Sequence, residues 1–176
     1  LMALTLHSWL ANTWWVKRDG RDWMSVWEGV CLLHSTVDVE FTQAPFYLAL
    51  WPELLGIELD MWPEFAKDGT KTLGERGTGT LFMSHDTGMF NWADGQMYGH
   101  EMEVEETANY VILSYAYWRR TGDDSIFRKH QNTVEALLKF LVAADTTGNG
   151  VPNMGVSNTV DDASVAVQYG REQVYL

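Results

Sequence analysis

The chain has 176 residues, enough for one domain, and a formal charge of −12 from 24 acidic against 12 basic side chains. That sign excludes a phosphate-backbone partner, which needs Lys and Arg to displace counterions, and it disfavours an anionic membrane surface. No apolar run approaches the ~20 residues of a membrane span. The single cysteine, Cys31, rules out an internal disulfide or a multi-cysteine metal site and is expected as a small buried apolar residue. Nine Trp, seven Tyr and seven Phe supply a large helical core, or stacking surfaces of the kind that the flat apolar faces of sugar rings use.

Leu4, Leu6, Leu10, Trp14 and Trp15 fall close to one helical face and predict a helix over 3–16, stopped by Lys17-Arg18-Asp19-Gly20. The chain opens inside this pattern, so the natural N-terminus and any leader are expected to be missing, and the compartment is left undefined. Alternating Trp23, Ser25 and Trp27 predict an extended segment over 21–29. Ser35 or Thr36 caps a helix to about Leu50, and Pro52 opens another to about Ala66, with Pro63 able to shorten it. Residues 68–102 hold seven glycines and read as a long loop, which in a compact domain is usually functional. Helices are expected at 103–120 and 124–144, then a polar loop from Asp145 to Ser164 and the start of one more helix. Long helices separated by long loops, with little strand, predict a mainly α architecture.

Several polar residues stand where chemistry is feasible, and each also has a plain structural reading. Glu28 ends the extended segment just before Gly29, where a side chain projects either into a cavity or into solvent. Asp38 lies in a first helical turn, where an acid also suits the helix dipole. Asp161-Asp162 follow Asn158-Thr159 and are either first-turn acids after a cap or a general acid raised by a like-charged neighbour. His85-Asp86 in the Gly-rich loop suits either sugar hydroxyls or the loop's own hydrogen bonds. Glu103, Glu105 and Glu106 open a helix, as acids do, and Asn109 one turn later is expected to face a cleft.

Metal and nucleotide chemistry find no local motif. His85, Asp86, His100 and Glu101 lack helical His-x-x-x-His spacing and any Cys partner, so no metal centre is expected. Asp145 to Gly150 is compatible with a structural Ca²⁺ or with a Gly-rich turn, and Val156 stands where an EF-hand needs Glu. No organic cofactor is called for. Nucleophile-elbow, phosphate-loop and dinucleotide fingerprints are absent.

In chain order, Trp27-Glu28-Gly29, Ser35-Thr36-Val37-Asp38-Val39 through Leu50-Trp51-Pro52, Ser84-His85-Asp86-Thr87-Gly88, Asn109, Thr121-Gly122-Asp123 and Asn158-Thr159-Val160-Asp161 resemble the catalytic domain of glycoside hydrolase family 116 and its relative family 52. That resemblance implies an (α/α)6 barrel and a retaining mechanism on β-glucosides or β-xylosides, with Glu28 as nucleophile and Asp161 as acid/base. It implies Asp38, His85 and Thr159 as sugar-binding residues, with Asp86, Asp162 and Asn109 beside them and Trp27 and Trp92 stacking. The sequence departs from that pattern in a Glu28-to-Asp38 gap one residue short, in Val30-Cys31-Leu32 where an aromatic is usual, and in the acidic Asp162. A second resemblance, to the fungal glutaminase A group, rests on Ser35-Thr36-Val37-Asp38, Pro52-Glu53-Leu54-Leu55, Val104-Glu105-Glu106 with Asn109, Ala116-Tyr117 and Thr121-Gly122-Asp123. It implies a helical toroid and amide hydrolysis, and its Thr-Asp-Asp leaves Asp161 and Asp162 as alternatives.

The expectation is therefore a piece of one six-hairpin toroid, truncated at both ends, with a carbohydrate substrate and the rest of the barrel as partners. A glutaminase-type amidohydrolase and a non-catalytic sugar-binding toroid are the alternatives. Half a barrel leaves an apolar face bare, so the chain alone is expected to be inactive or poorly soluble.

Overall fold

The computed structural model describes residues 2–28 and 31–155. It is mainly helical with a small amount of sheet. The first helix, α1, spans Met2–Asn12. It does not continue to residue 16 as the periodicity predicts. Thr13–Arg18 is instead strand β1, paired antiparallel with β2, Arg21–Glu28. Thr13, Trp14, Trp15 and Val16 are β-branched or aromatic and suit a pleated surface. Asp19 and Gly20 both adopt left-handed φ (53° and 78°), the two-residue turn that matches strand twist. The Asp-Gly pair is thus a hairpin turn rather than a helix stop.

The short β3, Leu33–His34, pairs with the other edge of β2, opposing Trp27 to His34 and Glu28 to Leu33. Helix α2, Val37–Leu50, follows at once, and α3, Pro52–Met61, opens on Pro52 as expected. Its last turn tightens into a 3₁₀ turn over Trp62–Phe65, where Pro63 ends the α-helical hydrogen bonding. In the glycine-rich stretch β4, Lys67–Asp68, pairs with β5, Leu81–Phe82, and the single-turn α4 covers Thr70–Leu73.

Helix α5, Glu103–Thr121, matches its predicted span and ends on left-handed Gly122. The helix expected over 124–144 is two: α6, Ser125–Lys129, and α7, Gln131–Ala144. His130 breaks them (φ −109°, ψ 23°). Asp60 on α3 bonds both Lys129 and His130, a tertiary anchor that no local pattern announces.

One core cluster joins β2 to α2, α3 and α5 through Met24, Tyr47, Leu55, Leu59, Trp62 and Tyr110. A second joins β5 and α7 through Phe82 and Phe140, with Leu73, Val104 and Ala144. Within the first lies a buried carboxyl pair, Glu40 and Glu58. Burial raises Glu40 well above the usual carboxylate range and Glu58 to about 8, so Glu40 stays protonated and donates to Glu58.

Candidate functional site

The site is assembled by one corner. Ser35 adopts left-handed φ (44°) and is wholly buried. Its N–H donates to Val26 O, its hydroxyl to Glu58 Oε1 at 3.0 Å, and its carbonyl accepts from the Trp62 indole at 2.9 Å. Such a conformation persists because the surroundings over-determine it.

The corner is then stitched to the glycine-rich loop. His34 N–H donates to Gly88 O, Thr87 N–H to His34 O, and Val37 N–H to His85 O, at 2.8–2.9 Å. These three bonds set the start of α2 beside His85. Gly88 is required: φ is +148° and a Cβ would lie 1.9 Å from Trp92 O.

A cavity of about 290 Å³ opens at this junction, lined by Glu28, Cys31, Asp38, Val39, Thr42, His85, Tyr98 and Met102. Three of the expected residues, Glu28, Asp38 and His85, therefore share one cleft. Glu28 Oε2 accepts from the Thr36 hydroxyl at 3.0 Å. Thr36 holds the N-cap position of α2 but makes no capping bond, so its hydroxyl serves Glu28 instead. Glu28 and Val39 also line a neighbouring cavity of about 560 Å³ that contains Trp27 and Trp9.

His85 is held from two sides. Its Nδ1 bonds Asp86 Oδ2 at 3.1 Å, and its ring stacks on Tyr98 at 4.2 Å. Asp86 is wholly buried. It also accepts from the N–H groups of Gly88, Met97 and Tyr98. Expected against the substrate, Asp86 instead stands behind His85, fixing its ring and the loop that carries it.

Glu106, read from the sequence as a first-turn acid, lies inside the fold beside these groups. It is fully buried and neither carboxylate oxygen has a hydrogen-bond partner among the described residues. Burial, then the charges of Asp38 and Glu105, push its carboxyl well above the usual range. Asn109, one turn on, pulls the other way with its amide, but it is buried beside Glu106 and does not line the cleft.

Other expectations fall elsewhere. The Trp27 indole packs on Trp14 at 4.9 Å and edge-on to His34, in the larger cavity. Trp92 is exposed. Cys31, expected in the core, is exposed and lines the cleft, because it lies in a turn just ahead of β3 rather than in a packed element. Asp145 accepts the N–H groups of Thr147, Gly148 and Gly150 and so closes its own loop. Gly29, Thr159, Asp161 and Asp162 lie outside the described residues.

By class this is a mainly helical domain with a carboxylate-bearing cleft at a strand–helix corner. The glutaminase A six helical-hairpin domain family matches it over residues 33–153, more than half of the chain, and the chain belongs to that family. This supports the second of the two resemblances. No curated protein matches the chain. No helix among the described residues is long and apolar enough to cross a membrane.

Proposed function

We propose that the cleft of Glu28, Asp38 and His85 is a hydrolytic site for a small polar amide, the side-chain amide of glutamine being the first candidate. The observation that carries this is the convergence of those residues on a cavity of about 290 Å³ in a chain of the glutaminase A six-hairpin family. In this reading Glu28 takes a proton from water as the water oxygen adds to the amide carbon. The C–N bond then breaks and the same proton goes to the departing nitrogen, giving ammonia and a carboxylic acid, whose own proton then passes to the ammonia to leave a carboxylate and ammonium. Asp38 and the oriented His85 line the part of the cleft that receives the substrate, and the helices close into an (α/α)6 toroid around it. The test is ammonia release from L-glutamine by the intact protein, lost in Glu28→Gln. Absence of ammonia release overturns the amidase reading.

A second reading is retaining hydrolysis of β-glucosides or β-xylosides. It is favoured by Glu28, Asp38 and His85 sharing one cleft, the grouping the glycosidase resemblance implies. Glu28 would attack the anomeric carbon, and Asp161 or Asp162 would protonate the leaving oxygen. It requires an aryl β-glycoside to be turned over, Glu28→Gln to abolish this, and azide to rescue Asp161→Asn. A sugar-binding toroid would bind the glycoside without cleaving it.

A further inference from the structure

Glu106 places a carboxyl in the interior beside Asn109, and no described group meets it in hydrogen-bonding geometry. Both of its oxygens are wholly buried and lack a hydrogen-bond partner among the described residues. Leaving such a group unsatisfied is costly, so a group of this kind calls for an explanation. Its neighbours supply one. One ligand atom each from Asp38, His85 and Glu106 lies within 4.8 Å of the other two. A point between three atoms at such separations lies no more than about 2.8 Å from each, close to the ~2.0–2.6 Å of metal–ligand bonds.

We propose that Asp38 from α2, His85 from the glycine-rich loop and Glu106 from α5 hold a divalent transition-metal ion, Zn²⁺ or Mn²⁺. The donor set selects the class. One imidazole with two carboxylates suits these ions, whereas Mg²⁺ and Ca²⁺ favour all-oxygen shells. The surroundings fit as well. His85 Nδ1 bonds buried Asp86, the carboxylate–imidazole arrangement that orients metal-ligating histidines. Asp38 and His85 line the cleft while Glu106 lies behind it, so a position left open by three protein ligands faces the cavity. Three ligands with one open position is the pattern of catalytic rather than structural sites. The three residues are far apart in sequence, and local spacing therefore did not reveal them.

The ion's catalytic part rests on the hydrolase reading: it would lower the pKa of a water in the cleft beside Glu28. Binding itself does not depend on that reading. The test strips the intact protein with a chelator and titrates it with Mn²⁺, followed by loss of the electron paramagnetic resonance signal of the aqueous ion, and with Zn²⁺ by calorimetry. One equivalent is expected, with affinity on the order of micromolar or tighter. Glu106→Gln and His85→Gln each weaken it at least ~10-fold, while Glu101→Gln does not. Failure to bind one equivalent overturns the site, as does unchanged binding in a Glu106→Gln protein with native circular dichroism. Should that variant not fold, X-ray absorption of the Zn²⁺-loaded wild type decides, because absence of imidazole scattering overturns the assignment. One-equivalent binding without ammonia release supports the site and overturns only the amidase reading. Ammonia release without such binding does the reverse.

Discussion

The Thr36 hydroxyl donates to Glu28 Oε2 at 3.0 Å instead of capping the helix it precedes. A residue typical of an N-cap has been turned across the corner to hold the one carboxylate shared by both cavities. Thr36→Val keeps the β-branched shape and deletes only this bond. Such a bond to a charged group is worth ~1.5–3 kcal/mol. Turnover by the intact protein should therefore fall by about 10–100-fold. Thermal stability should fall by no more than the worth of that one bond, since no capping bond is lost, and Thr36→Ser should restore most of both stability and activity. Full activity in Thr36→Val would show that the Glu28 bond does not matter to the chemistry.

Asp86 is a positioning residue. Its two oxygens accept from three backbone N–H groups and from His85. Asp86→Asn turns an amide NH₂ toward groups that themselves donate. The expected loss is about 2–4 kcal/mol in urea unfolding. The imidazole NMR signals of His85 should also move, because the partner that fixes its tautomer is altered. Unchanged His85 signals would separate the loop from the site.

The sequence carried α2, α3 and α5 well, because Pro52, Gly122 and the 3.6-residue apolar spacing are local signals. It failed where tertiary contacts decide. Trp14 and Trp15 continue a helical face, yet Asp19-Gly20 turns them into a hairpin. The α6–α7 break depends on Asp60, some 70 residues away. Glu28, Asp38 and His85 could be marked by the order of their motifs. The bonds between 34–37 and 85–88 that bring them together are long-range and leave no spacing signature. Glu106 looked like any first-turn acid because nothing in the sequence shows that this turn of α5 is interior.

Cys31 gives a chemical probe of the cleft. It is exposed and lines the cavity beside Glu28 and Asp38. N-ethylmaleimide should label it in the folded protein and block turnover, and bound substrate should slow the labelling. Cys31→Ser should keep near-normal activity and become insensitive to the reagent. Full activity after complete labelling would place the reaction elsewhere.

Stability should fall as pH rises from about 4.5 to 8, and the cause is the Glu40–Glu58 pair. Burial holds Glu58 up at about 8 against an unfolded value of 4.5, and Glu40 is raised too, by burial and then by Glu58. Between those values the folded state binds more protons than the unfolded chain, so the unfolding free energy decreases with pH. The contribution is fully present below 4.5 and is lost by the time Glu58 ionises near 8. A loss of roughly 3–6 kcal/mol from Glu58 alone is expected across this window. Glu58→Gln removes the titrating carboxyl while keeping an acceptor for the Ser35 hydroxyl. Denaturant unfolding of this variant at pH 5 and pH 8 should show a clearly smaller difference than the wild type. An equal pH slope in the two proteins would mean that the pair does not titrate with folding.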